Sequence, residues 1–146
     1  NQERSIPKLF KDRIKKDLAQ EAIVNPNKMT YSYNFTFDNQ NKTDTSASSG
    51  ITFEDGKIKL SSGSESGNHI SITKDTPIDV NSVHLLVTGE ATTGTKYYVN
   101  AVGTNSWQQI SVNTLTTITN PGRKLRLRIE ITNSSARIDS VALLYK

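Results

Sequence analysis

The sequence predicts an all-β protein, an antiparallel β-sandwich or jelly roll of about 8–9 strands, preceded by one N-terminal amphipathic α-helix. Three observations carry this. Apolar residues alternate with polar ones at period two from Tyr31 onward. All eight glycines lie between Gly50 and Gly122, in clusters rich in Ser, Thr and Asn that separate the alternating runs. Only 34% of the 146 residues are hydrophobic, while 17 Thr, 16 Ser and 13 Asn favour strands and turns over a helical bundle.

The helix comes first. Ile6, Leu9, Phe10, Ile14, Leu18 and Ala22 recur at spacings of three and four, bounded by Ser5-Ile6-Pro7 and by Asn25-Pro26. Its apolar stripe needs cover, either on its own domain or the preceding one, or in an inter-chain bundle. The chain therefore divides into residues 1–30, a helical connector or oligomerisation segment, and residues 31–146, the β-domain.

The strands follow in order. Tyr31, Tyr33, Phe35 and Phe37 alternate with Ser32, Asn34 and Thr36. Ile51–Phe53 and Lys57–Leu60 flank Asp55-Gly56, a tight hairpin signal. His69–Thr73 alternates again, and Val83–Thr88 is a more apolar run. Lys96–Val102 and Trp107–Ile110 make a second hairpin around Gly103. In Lys124–Ile131, Leu125, Leu127, Ile129 and Ile131 point one way, and Lys124, Arg126, Arg128 and Glu130 the other. Ile138–Tyr145 is apolar on both faces, as in a strand covered on both sides. Thr43–Gly50, Ser61–Asn68, Ala91–Thr95 and Asn120-Pro121-Gly122 read as turns and loops.

Several functions are excluded or disfavoured. Nowhere does the chain approach the roughly 20 apolar residues of a membrane-spanning helix, so membrane insertion is not expected. With no Cys, disulfides, zinc–thiolate sites and thiol catalysis are out. Of the net charge of +4, most sits in residues 1–30, which hold seven Lys/Arg against four Asp/Glu. A nucleic-acid binder would concentrate cations on its folded part, so nucleic acid is not an expected partner. His69 and His84 share no metal-ligand spacing and read as half-exposed strand residues. Glu54, Asp55, Glu90 and Glu130 fall where turns or solvated faces explain them, which argues against a glycosidase carboxylate pair and an enzyme in general. The sequons at Asn34, Asn41 and Asn133 are what the composition alone supplies. The chain opens at Asn1 with no secretory signal and is expected to be a processed product or a piece of a longer protein.

From about residue 34 to the end, the order of elements carries a resemblance. Phe37-Asp38 and Asp44-Thr45 lead into Asp55-Gly56; Lys96-Tyr97-Tyr98-Val99 is followed by Gly103-Thr104-Asn105-Ser106-Trp107; then come Gly122 to Ile131 and Ile138-Asp139-Ser140-Val141. This pattern resembles jelly-roll modules of tail fibres, baseplates and other tail-associated proteins of phages and prophages of Gram-positive bacteria. Those modules are similar in turn to carbohydrate-binding modules of glycoside hydrolases. The turn before Trp107 departs from the pattern, with one glycine and no acid.

The resemblance implies a non-catalytic module on a virion tail, or otherwise extracellular, that binds host cell-surface glycans such as a cell-wall polysaccharide or teichoic acid. Two alternatives are a structural tail or baseplate domain contacting other virion tail proteins, and a carbohydrate-binding module excised from a secreted hydrolase. A homo-oligomer, for instance a trimer, could form through the N-terminal helix. Sugar-binding surfaces use aromatic platforms flanked by amides and charges, so Tyr97, Tyr98, Trp107, Asn105, Arg126 and Arg128 are the candidate ligand-binding residues. Tyr97 and Tyr98 are adjacent, so one faces inward and the other outward; Trp107 is either a core plug or a platform. Arg126 and Arg128, with Lys124, form either a solvated outer face or a cationic strip suited to phosphate, which Arg137 could extend. Related modules often hold a structural calcium; the matching acids here are Asp38 and Asp139.

Overall fold

The computed structural model describes residues 27–146. The amphipathic helix expected within residues 1–30 lies outside the described residues. Nine strands run β1 Tyr31–Thr36, β2 Ile51–Glu54, β3 Lys57–Leu60, β4 Gly67–Ile70, β5 Lys74–Glu90, β6 Lys96–Asn100, β7 Gln108–Ile110, β8 Leu115–Ile131 and β9 Arg137–Tyr145. Every strand pairing is antiparallel, and the hydrogen-bonded path runs β2-β3-β9-β5-β8-β6-β7, with β1 beside β9 and β4 beside β8.

The long strand β8 divides this path into two groups. Its first part pairs with β5, from His84↔Leu115 to Lys74↔Leu125. Its last part pairs with β6 on one edge and β4 on the other. Inward residues of both groups meet in one core: Phe35, Ile58, Leu85, Val141 and Leu143 from the first, Tyr97, Val99, Leu127 and Ile129 from the second. A shared core between two groups of strands is what period-two alternation demands.

Local sequence explains most elements. On β1, Tyr33 and Phe35 are buried and Asn34 and Thr36 exposed, continuing to buried Phe37. The β2–β3 hairpin turns on Asp55 and Gly56 at φ of 54° and 73°, the left-handed pair that a tight two-residue turn requires. Leu125, Leu127, Ile129 and Ile131 are fully buried in β8. On β9, Ile138, Val141, Leu143 and Tyr145 are buried, and the opposite face is half-buried.

Two expectations are corrected. Asn120-Pro121-Gly122 is not a turn between strands but a bulge inside β8, where the β5 register jumps between Val80↔Gly122 and Ser82↔Thr117. Proline lacks the N–H for a ladder bond, so it sits where the ladder is interrupted while the chain keeps its direction. Gly122 is there for space, since a Cβ would lie 2.4 Å from the Ala101 carbonyl oxygen.

The histidines are not half exposed either. His69 is fully buried and His84 is 4% exposed. Strand β4 turns His69 inward and Ile70 outward, opposite Arg128, so the polar residue takes the core position. The His69 ring sits edge-on to Phe35, Phe37 and Phe53 at centroid distances of 6.1, 5.2 and 6.1 Å. Its Nε2 lies 2.8 Å from the Thr43 hydroxyl, while Nδ1 makes no hydrogen bond to another residue among those described.

Candidate ligand-binding face

The outward surface of β4, β8, β6 and β7 gathers most of the candidate residues. Pairing sets Tyr98 between Arg128 and Gln109, and Asn100 beside Arg126. Because neighbours on a strand alternate, Tyr98 faces outward and Tyr97 inward. Tyr97 is 5% exposed, and burial pushes its hydroxyl up to about 12. Tyr97 therefore belongs to the core and leaves the candidate set.

Tyr98 is half-buried, and its ring lies 4.7 Å from the Arg128 guanidinium. Its hydroxyl donates to Glu130 at 3.2 Å. Desolvation, then the Glu130 charge, raises its pKa. Arg128 in turn donates from Nε to Asn68 at 2.7 Å and stands 3.7 Å from the Glu130 carboxylate.

Trp107 is half-buried just before β7, with the Arg126 guanidinium 5.2 Å from its ring. Arg126 donates to the Thr104 carbonyl at 3.0 Å and to the Asn105 side-chain oxygen at 2.7 Å. Asp44 approaches its far nitrogen at 3.7 Å. Arg126 is consequently 7% exposed. Neither arginine stands as an isolated cation: Arg126 is buried among Thr104, Asn105 and Asp44, and Arg128, a quarter exposed, is held by Asn68 with Glu130 beside it. Lys124 pairs with Asp75. Arg137 lies on β9 in the other strand group, donating to the Ser134 and Ala136 carbonyls.

The residue that organises the Trp107 turn is Asn100, which sequence reasoning missed. Its side-chain oxygen accepts the Val102 and Thr104 N–H groups at 2.9 and 3.0 Å. Its amide donates to the Thr104 hydroxyl and the Ser106 carbonyl, both at 2.9 Å. One signal was available, an Asn three residues ahead of a glycine, which is turn chemistry; Gly103 adopts φ of 74°. Gln108 was also missed. It donates to the Thr117 carbonyl and accepts the Thr119 N–H, both at 2.9 Å, bridging β7 to the bulge of β8. Between them lies a hollow of about 260 Å³ walled by Asn100, Ser106, Trp107, Gln108, Ile118 and Asn120. It falls just below the roughly 300–1,000 Å³ of drug-sized ligand sites, a space for one small ring with amides and hydroxyls around it.

The two acids matched to a structural calcium both sit at the β2–β3 hairpin. Asp38 lies against the hairpin turn, its carboxylate 2.8 Å from where a Gly56 Cβ would stand. Asp139 faces the same hairpin with the Lys57 ammonium at 3.6 Å. Among the described residues no group of three His, Cys, Asp or Glu could hold a metal. Two acids, one already beside a cation, do not supply the six to eight oxygens calcium takes.

No family model and no curated protein matches the chain. Among solved structures, it is similar to a low-affinity xylan-binding module, CBM86, from the xylanolytic gut symbiont Roseburia intestinalis. That likeness covers 80% of this chain and 97% of that one at 20% identity and a TM-score of 0.44. The cupin domain of Drosophila melanogaster CENP-C is similar over 75% of this chain and 83% of that one, at 13% identity and a TM-score of 0.27. Scores of this size leave the functional reading to the chain's own residues.

Proposed function

We propose that residues 31–146 form a non-catalytic glycan-binding module whose contact surface centres on Trp107, with Tyr98 beside it. One observation carries this: the only tryptophan is held half-buried at the wall of a small hollow of mixed polar and apolar lining, on a turn locked by four Asn100 hydrogen bonds. A pre-positioned ring next to amides can stack on a sugar's apolar face at a reduced ordering cost. Because the arginines are already compensated, the surface favours a neutral saccharide over teichoic acid.

The acids support a passive role. Glu130 is engaged by Tyr98 and Arg128. Lys59 holds the Glu54 carboxyl below its ordinary range, the opposite of what a general acid needs. A tail-associated, extracellular setting and a jelly-roll topology are what the sequence resemblance adds. Its test is gene neighbourhood, where an absence of tail genes removes that setting. Residues 1–30 are assigned as the connector or oligomerisation segment. Its described end lies beside the C-terminus: Lys146 donates to the Asn27 carbonyl and the Thr30 N–H to the Tyr145 carbonyl. Light scattering with and without residues 1–30 tests it, an unchanged monomer counting against oligomerisation.

The decisive experiment is a glycan array probed with multimerised protein, since single-site affinity of such modules is weak and multivalency amplifies it. Retention on a neutral glycan, cut roughly tenfold by Trp107→Ala, is expected. No retention on any glycan would leave the structural, protein-contacting domain as the better account.

A further inference from the structure

We infer that this domain carries a second saccharide site, in the hollow between the 40–49 loop and β2. It shares the ligand class of the proposed function and to that extent rests on it, but uses none of the same residues. The hollow holds about 390 Å³ and is lined among others by Gln40, Thr43, Thr45, Ser49, Thr52 and Phe53. That volume lies within the roughly 300–1,000 Å³ of small-molecule sites.

Its chemistry is specific. No Lys, Arg, Asp or Glu lines it, so no charged side chain is there to select an anion or a metal cation. The wall is hydroxyls and one amide, with half-buried Ile51 and Phe53 as its apolar part. A neutral, polyhydroxylated ring with one apolar face complements that combination.

The polar groups divide into those that build the site and those left over. Thr43 is fixed by His69, Thr52 by the Ser61 hydroxyl at 2.8 Å, and Ser48 by the Ile70 backbone. The side chains of Gln40, Thr45 and Ser49 make no hydrogen bond within the described residues and are exposed. Unspent donors and acceptors therefore project from a frame that is itself held.

The frame is rigid because the loop is laid along β4. Isolated bridges join Thr43 to Ser71 and Ser49 to Asn68. The Asp44 N–H donates to the Ile70 carbonyl at 2.8 Å. At the loop's end, Gly50 runs so close to Ser66 that a Cβ would meet its carbonyl oxygen at 2.5 Å. Phe53 is backed by Phe37 and His69, at 6.3 and 6.1 Å. A hollow built this way exists before any ligand arrives, which lowers the ordering cost of binding.

The test is a backbone amide NMR titration of the full chain with xylohexaose, cellohexaose and chitohexaose in turn. Wild type, Trp107→Ala and the double variant Gln40→Ala, Thr45→Ala are compared. Both altered loop side chains are exposed, and the amide spectrum itself reports whether each variant is folded. With at least one hexaose, shifts are expected in residues 40–53, to persist in Trp107→Ala and to weaken about tenfold in the loop double variant. Shifts confined to residues 98–108 and 118–120 would overturn the second site and leave the proposed function standing. Shifts confined to 40–53 would sustain the second site and refute the Trp107 surface. No shift with any of the three sugars would overturn both.

Discussion

The buried His69 makes the fold sensitive to acid, and the size of the effect follows from its surroundings. Three phenyl rings and one hydroxyl lie against it, and Nδ1 makes no hydrogen bond to another residue among those described. Protonation would place a charge in the core, so desolvation, only partly offset by the residue's own backbone, pulls the pKa from 6.5 to about 4. The unfolded chain takes up the proton first. Stability is therefore complete above the unfolded pKa and is lost as pH falls from there toward the folded value. At about 1.4 kcal/mol per unit, the full loss is about 3 kcal/mol, of which about 2 kcal/mol is gone by roughly pH 5. For a domain of this size that lowers Tm by about 6–10 °C. Denaturant melts at roughly pH 7.5 and pH 5 measure it. His69→Gln keeps a partner for Thr43 but cannot titrate, so its two melts should nearly coincide. A residual slope is expected from His84, whose pKa burial also lowers. An undiminished pH slope in His69→Gln would refute the reasoning.

Two further outcomes follow from the same geometry. Asn100→Ala removes four hydrogen bonds at a residue only 5% exposed. It should cost about 2–4 kcal/mol in a denaturant melt and shift the single-tryptophan emission to the red as the turn loosens. Gly122→Ala forces a methyl group against the Ala101 backbone and should cost about 1–3 kcal/mol. At Gly63 a Cβ meets nothing within 4 Å, so alanine there should cost only the strain of φ at 82°, about 1 kcal/mol. Equal losses at the two glycines, measured by thermal unfolding, would count against the close-approach argument.

The strands most legible in the sequence were those whose two faces meet different environments. On β1 and the last part of β8, the core takes every second residue and water or polar neighbours the rest, so alternation reports the burial directly. The start of β5, Lys74–Val80, carried no such signal. It holds Pro77 and two aspartates and is a strand because its backbone pairs with β8, and backbone bonds leave no mark on side-chain type. The same holds for Leu115–Thr117, to which the sequence pattern assigns no element. Histidine misled for a different reason: a core position can be filled by a polar ring if one hydroxyl and a set of aromatic edges meet it. That partner, Thr43, is 26 residues away.

The arginines show where sequence legibility ends in the site itself. Alternation correctly put Arg126 and Arg128 on the face opposite the core, and from that alone a solvated or phosphate-binding strip followed. What decides their role is what stands above them: Asp44 from one loop, Thr104 and Asn105 from another, Asn68 from the neighbouring strand. A guanidinium bonded to a neighbouring loop or strand, with a carboxylate and an aromatic ring beside it, is a brace more than a free charge. Arg126 joins the Asp44 loop to the Trp107 turn, so the two hollows are walled by loops that meet on one side chain. Arg126→Met keeps much of the stem and removes the fork. It should therefore loosen both loops together, raising amide exchange at residues 43–45 and 104–107 in the same variant. Exchange that changed at only one of the two segments would show that they are braced independently.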